Sequence, residues 1–198
     1  MMRDQRGMTL TELLASLTLL FMVLAAAFSV YLAIHSTAKS GMERYMDKSA
    51  MDATMNRLTA ELSDATTLFV SADGSELRSF NGFAARSIVF DAERKTLVLY
   101  DFSADPANVP FVKENTTNAS ISRETHPDLY ANPRELPAAV IRVQLFDGPE
   151  SDASREQIKG EAVVGGTAVW LSVTFGTGSG NAEERVIETA VKLFDDAA

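Results

Sequence analysis

The chain is expected to be an α+β protein, with one long N-terminal helix followed by an antiparallel, β-rich domain. Three observations carry that expectation. Leu13 to Ile34 contains no charged side chain; the following thirty residues place apolar side chains three and four apart; and the second half consists of short β-branched runs separated by charged or Gly-rich turns. No alternation of strand and helix is visible, which argues against a parallel α/β sheet. At 198 residues with 46% hydrophobic content, there is room for one membrane-spanning helix and one globular domain of ordinary size.

The first element begins with Arg3 and Arg6, passes through Gly7-Met8-Thr9-Leu10-Thr11-Glu12, and enters the apolar run, where only Ser16, Thr18 and Ser29 interrupt. A single helix over 13–34 is long enough to cross a hydrocarbon core of roughly 30 Å. Glu12 stands at its mouth. A carboxylate close to bilayer depth costs on the order of a few kcal/mol unless it finds a partner, so its presence needs a function. Arg3 and Arg6 before the run, with Lys39 as the first Lys or Arg after it, set a weak positive-inside bias that puts the bulk of the chain outside the cytoplasm.

This arrangement resembles the N-terminus of type IV prepilins and of the pseudopilins of type II secretion systems. The resemblance implies a leader ending at Gly7, a cut at the Gly7-Met8 bond by prepilin peptidase, N-methylation of Met8 and an assembly role for Glu12 at the fifth mature position. Met8 departs from the commoner Phe, a mild change between apolar side chains. The family's shape is a long helix whose second half packs on a β-sheet. Many of its major subunits have a C-terminal disulfide, which a chain without cysteine cannot form.

The chemistry of the motif follows from charge and lipid. A cut after Gly7 leaves an α-amino group on Met8, about one helical turn from Glu12, so both charges sit at one end of an apolar rod. When rods associate with an axial stagger, the carboxylate of one meets the amine of its neighbour in a low dielectric. Desolvation offsets much of that attraction, so the pair sets register more than it adds stability. Two plainer readings compete. Ala25-Ala26-Ala27 offers a signal-peptidase-like site with a mature start at Phe28, and an uncut anchor would leave Glu12 snorkelling at the interface.

Beyond the span, Met51, Met55, Leu58, Leu62, Ala65 and Phe69 follow helical spacing, while Asp52, Arg57, Glu61 and Asp64 take other faces. The helix is expected to run from about residue 8 to 66, roughly 90 Å at 1.5 Å per residue, with its apolar stripe covering the chain's own core. Gly41 costs about 1 kcal/mol relative to Ala in a helix and marks the expected bend or junction where the rod leaves the membrane. Pro106 is the first proline, so no proline kink is expected. The family's major pilins often have one in this half.

From Leu77 the pattern is β. Ser87 to Phe90 and Thr96 to Tyr100 flank the charged turn Asp91–Lys95 as a hairpin, and Ala139–Phe146, Val169–Phe175 and Val186–Leu193 add three strands, the last two joined by the Gly-rich stretch 176–181. Five or more strands in meander order are expected. Asp101 to Pro137 has no sustained period and is expected to be a long surface loop. The acidic stretch 147–152 lacks the oxygen spacing of a calcium loop and is expected to be a solvated turn.

Function classes narrow accordingly. A net charge of −9 without a Lys/Arg cluster argues against nucleic acid. His35 and His126 form no ligand pair, no GxSxG elbow occurs, and the Gly176 stretch has Asn181 where a third dinucleotide-motif glycine would fall; no catalytic residue, metal ligand or cofactor is expected. The segment Asn56 to Ala65 resembles the arginine- and acid-bearing helix end of J-type minor pseudopilins and W-type minor pilins. The expectation is a leader at 1–7, a helix at 8–66 with its transmembrane part at 13–34, and an extracytoplasmic domain at 67–198. That describes a structural minor subunit, anchored once in the bacterial inner membrane with its C-terminal domain in the periplasm or outside the cell. It would assemble with other pilin or pseudopilin subunits among inner-membrane lipid. A membrane-anchored periplasmic enzyme and a secreted binding protein cut after Ala27 are the alternatives.

Overall fold

A computed structural model describes residues 9–102, 109–176 and 184–195. The chain divides into two units, residues 1–46 and residues 47–198, and each is described by itself.

In the first unit the described residues form the leading part of helix α1 (Leu10–Ser63). Its best 18-residue window has a mean hydropathy of 2.4 with none of it buried. Leu13, Leu17, Leu20, Phe21, Leu24, Phe28, Leu32 and Ile34 are all exposed. A polar solvent would not tolerate such a surface on a packed domain, and a lipid solvent would. The hydroxyls inside the run bond back to the helix: Ser16 donates to the Leu13 carbonyl, Thr18 to those of Leu14 and Ala15, and Ser29 to that of Ala26. Each is thereby satisfied without water. The helix is unbroken at Gly41; a methyl group at that position would meet nothing within 4 Å, and one glycine's propensity cost is small beside the hydrogen bonds on either side.

In the second unit the remainder of α1 packs on antiparallel sheets through the predicted stripe, with Met51, Met55, Leu58 and Leu62 buried. Thr54, also buried on that face, accepts a hydrogen bond from the Ala138 amide. The strands are β1 (Thr67–Val70), β2 (Glu76–Phe80), β3 (Ala85–Asp91), β4 (Thr96–Phe102), β5 (Tyr130–Glu135), β6 (Val140–Phe146), β7 (Ala162–Val164), β8 (Ala168–Gly176) and β9 (Glu184–Lys192). They form a six-stranded sheet in the order β5-β4-β3-β2-β1-β7 and a three-stranded sheet in the order β6-β8-β9. One core joins the helix stripe to both sheets through Leu68, Leu77, Ile88, Leu99, Leu145, Leu171, Val173 and Val191. The expected hairpin is β3-β4, with Ile88 opposite Leu99 and Asp91 opposite Thr96. The Asp91 side chain accepts from the Glu93 and Arg94 amides, and Lys95 takes φ 54°, closing the turn locally.

Two expectations need correction. Phe69 continues the helical spacing in sequence but lies in β1, because α1 ends at Ser63 and the chain turns at Ala65 and Thr66 to pair with β2. The stretch 101–137 is not an irregular loop. β4 runs to Phe102, helix α2 occupies Val109–Thr117, a 3₁₀ turn spans Pro127–Leu129, and β5 follows. Asn132 at φ 51° and Pro133 disguise β5 as a turn, and a sheet edge tolerates both. The Gly-rich turn at 176–181 lies outside the described residues after Gly176.

Candidate functional site: the N-terminal motif and a buried arginine clamp

Gly7 and Met8 lie outside the described residues. Thr9 and Glu12, which follow them, close the start of α1 on each other. The Thr9 amide and its Oγ1 each donate to Glu12 Oε2 at 3.0 Å, and the Glu12 amide returns a 3.4 Å contact to Thr9 Oγ1. The Thr9 carbonyl accepts from the Glu12 and Leu13 amides, both at 3.1 Å. Thr9-Leu10-Thr11-Glu12 is therefore a capping box, in which a threonine and a glutamate three residues on satisfy each other's free amides. The negative carboxylate also sits against the positive end of the helix dipole.

A basic start, a glutamate tied to the first turn and an exposed apolar helix now occur together. Residues 2–28 match the family model of the prokaryotic N-terminal methylation motif. The chain carries the type IV pilin and pseudopilin signature. Comparison with curated proteins and with solved structures finds no match. The signature is the sequence recognised by prepilin peptidase, it marks subunits that assemble with other pilins, and it points to a structural role. The single apolar helix near the N-terminus is consistent with a one-pass membrane anchor.

The second unit contains a polar cluster that sequence reasoning missed. Arg78 is 1% exposed and Glu76 5%. Arg78 donates from Nε to Glu76 Oε1 at 2.8 Å and from Nη2 to Oε2 at 3.2 Å, a bidentate fork. Its remaining hydrogens go to the carbonyls of Asn115 at 3.3 Å, Asn118 at 2.8 Å and Ile121. Phe69 and Phe102 pack their rings 5.0 and 5.2 Å from the guanidinium. Glu76 also accepts from Ser87 at 2.6 Å and from the Tyr130 hydroxyl at 2.7 Å. Burial, followed by the bond to Glu76, pushes the Tyr130 phenol well above its ordinary value.

A glutamate, arginine, tyrosine and serine held together could be mistaken for a catalytic set. The arrangement does different work. Arg78 spends its donors on carbonyls in the last turn of α2 and the residues after it, adding to the local amide bonds that Asn115 and Asn118 already accept. With Val112 and Ile121 packed on Phe80, Ala85 and Phe102, it fastens the segment after β4 to the face of the large sheet that α1 does not cover. Glu76 and Arg78 stand two apart on one strand, hence on one face, and that i, i+2 pairing was the available signal.

The segment Asn56 to Ala65 ends α1 beside β2 and β3. Arg57 reaches Glu61 at 2.6 Å, and Arg86 from β3 meets the same carboxylate oxygen. These residues and Asp64, Ser79, Asn81 and Ala84 line a cavity of about 250 Å³. In the acidic stretch, Asp152 accepts from the Ser154 amide and hydroxyl, which hold its carboxyl below the usual range, and Asp147 accepts from the Glu156 amide. The His126 ring meets the hydroxyl of its neighbour Thr125 at 2.9 Å, and His35 stacks on Tyr31.

Proposed function

We propose that the protein is a minor pilin-like subunit of a type II secretion pseudopilus or a type IV pilus. Prepilin peptidase cuts after Gly7, the new amine of Met8 is N-methylated, and residues 8–66 act as anchor and assembly helix for the domain at 67–198. The anchor lies in the bacterial inner membrane, and the domain lies in the periplasm or outside the cell. The carrying observation is the coincidence, within twelve residues, of a basic leader ending in Gly7 and a glutamate at the head of a helix whose apolar side chains are exposed on every face. Minor status is supported by the absence of cysteine and of any proline before Pro106, and by the resemblance of residues 56–65 to the J- and W-type subunits.

In this mechanism Glu12 changes partner. Before assembly its carboxylate is held by Thr9; in the filament it meets the Met8 amine of an adjacent subunit. The exchange replaces hydrogen bonds from neutral donors with one from a cationic donor in low dielectric, which fixes the stagger of the helices. The test uses Gly7→Leu and the pair Glu12→Ala and Glu12→Gln in cells containing the peptidase. Gly7→Leu is expected to remain unprocessed on immunoblots. Both Glu12 variants are expected to be processed and membrane-resident but not recovered with other pilins. Normal shortening of Gly7→Leu refutes the cleavage assignment, and wild-type assembly of both Glu12 variants refutes the charge exchange.

A further inference from the structure

The second unit brings arginines to a carboxylate in two places, and the two differ in what they leave unused. Arg78 engages Nε, Nη1 and Nη2, all on protein acceptors. Arg57, near the end of α1, and Arg86, on β3, each turn one terminal nitrogen to the same oxygen, Glu61 Oε1. A guanidinium presents N–H donors on all of its nitrogens in a fixed fork. Most of the donors of Arg57 and Arg86 therefore meet no protein acceptor among the described residues. Their side chains are 44% and 35% exposed, and both line the cavity of about 250 Å³.

The same cavity is lined by a buried hydroxyl. Ser79 is 5% exposed. On β2 it stands two residues from Leu77, which packs in the core with the α1 stripe, and next to Arg78, which faces α2. Alternation along the strand therefore turns the Ser79 side chain toward α1. Its cross-strand partner is Arg86, so hydroxyl and guanidinium start from Cβ atoms about 5 Å apart. The Ser79 hydroxyl has no hydrogen-bond partner among the described residues, and at that depth it is satisfied only by an acceptor in the cavity. Asn81 adds a further donor. Its Oδ1 accepts from the Phe83 and Ala84 amides at 3.2 and 2.9 Å; backbone amides can be met only by the oxygen, which leaves the Nδ2 hydrogens unspent beside the cavity it lines.

Spare donors without acceptors select an anion. Arg57 and Arg86 against Glu61 leave one positive charge over, while Asp64 is exposed and keeps its charge in water. A singly charged group neutralises that excess. A phosphate dianion would overshoot it and meet Glu61 and Asp64 at close range. A planar carboxylate also matches two guanidinium forks geometrically. The volume is below the roughly 300–1,000 Å³ of pockets that enclose a drug-sized molecule, so what enters is a carboxylate on a short carbon tail. In a chain of net charge −9, this positive pocket is a local exception and not part of a broad basic surface.

We propose that the cavity beside the end of α1 binds a carboxylate group, held between the Arg57 and Arg86 guanidiniums, with the Ser79 hydroxyl and the Asn81 side-chain amide as neutral donors. Glu61 holds the two arginines in place without neutralising both. The carboxylate belongs either to an acidic side chain of a polypeptide or to a free organic acid, and Phe83 separates the two sources. It is 78% exposed on the β2-β3 turn, between Gly82 at φ 91° and Ala84, which lines the cavity. An apolar residue next to a peptide's carboxylate covers that ring, and a free short-chain acid does not reach it. The site uses no residue of the N-terminal motif, so it stands or falls independently of the pilin-like reading.

The test uses the full chain, labelled with nitrogen-15 and held in detergent micelles, followed by the NMR signals of its arginine side chains. It is titrated with sodium acetate, with the peptides acetyl-Leu-Glu-Leu-amide and acetyl-Leu-Gln-Leu-amide, with inorganic phosphate, and with sodium chloride at matched ionic strength. The Arg57 and Arg86 signals are expected to shift saturably with acetate and with the glutamate peptide, and not with the glutamine peptide or chloride. Arg57→Gln should weaken carboxylate binding about tenfold or more, and Ser79→Ala several-fold. Ser79→Ala also separates binding from structure. Its hydroxyl has no protein partner, so the melting temperature should stay level or rise while affinity falls, whereas a serine that only supports the fold would lower the melt and leave affinity alone. Weakening of the glutamate peptide but not of acetate by Phe83→Ser assigns the carboxylate to a polypeptide, and unchanged peptide affinity in that variant assigns it to a free acid. The proposal is overturned by the absence of a saturable shift with either carboxylate, by an equal shift with chloride, by tighter binding of phosphate than of acetate, or by affinity unchanged in both Arg57→Gln and Ser79→Ala.

Discussion

The two parts of α1 share one backbone geometry and are built for different solvents. In residues 13–34 every large apolar side chain is exposed and no charge occurs. In residues 51–62 the apolar positions narrow to one stripe, Leu58 and Leu62 are 0% exposed, and charged residues occupy the remaining faces. The first part presents apolar side chains on every face, a surface suited to lipid. The second relies on two sheets that bury its stripe. A long helix by itself therefore reveals little about its environment; the width of its apolar surface reveals much more.

The largest break in that comparison comes from one acidic residue placed in each part. Leu58→Asp puts a carboxylate at a fully buried position without a partner, at a cost comparable with the roughly 5–15 kcal/mol that ordinarily separates folded from unfolded domains. Circular dichroism should show loss of the cooperative melt. Leu24→Asp should leave the domain's melting temperature unchanged and weaken membrane insertion by about 3 kcal/mol, read as a shift toward the soluble fraction. Equal effects on the domain melt would show that the two parts are not independent.

Arg78 sharpens the same contrast, because the packed unit does hold a buried charge. It does so only with every donor placed. Arg78→Ala should destabilise the domain by about 3–5 kcal/mol, since Glu76 is left buried without its cationic partner and the carbonyls of Asn115, Asn118 and Ile121 each lose a hydrogen bond. Arg57→Ala, on an exposed arm of the Glu61 pair, should cost no more than about 1 kcal/mol. Denaturant titration separates the two. Limited proteolysis of Arg78→Ala should cut first within 109–126.

The smallest effect concerns Tyr130. Tyr130→Phe removes one hydrogen bond to Glu76, about 1 kcal/mol. The folded protein holds the phenol's proton beyond its ordinary value of 10.0, so the tyrosine's contribution is complete below about pH 10 and declines as pH rises above it, where only the unfolded chain ionises. The stability gap between wild type and Tyr130→Phe should be constant from about pH 7 to 9 and shrink above about 10. A gap that stays constant through that upper range would mean that burial does not protect the hydroxyl.

Several features were legible from local pattern. The apolar run, the glutamate at its head, the stripe at 51–62 and the β3-β4 hairpin each announce themselves by spacing over a few residues. Phe69 and the stretch 101–137 did not. Phe69 keeps helical spacing past the point where the helix stops, and only pairing with β2 moves it onto the opposite face of the sheet. α2 has too few apolar positions to show a period; its buried residues include Val112, Asn115 and Thr116, and Arg78 and Phe102 hold the segment in place. β5 carries a proline and a left-handed asparagine that read as a turn until the strand is seen to be an edge.

By itself the sequence determined the apolar N-terminal helix, the methylation motif, the α+β class and the strands whose alternation is complete. These depend on interactions between residues within about four positions of one another, or on the bulk choice between lipid and water. Tertiary structure alone decided that two sheets share one core, that Arg78 caps a helix distant from it in the chain, and that β9 ends the smaller sheet. Each of those depends on groups far apart in sequence that meet only after folding. The low dielectric created by that meeting is what makes a buried arginine worth its full set of hydrogen-bonding partners.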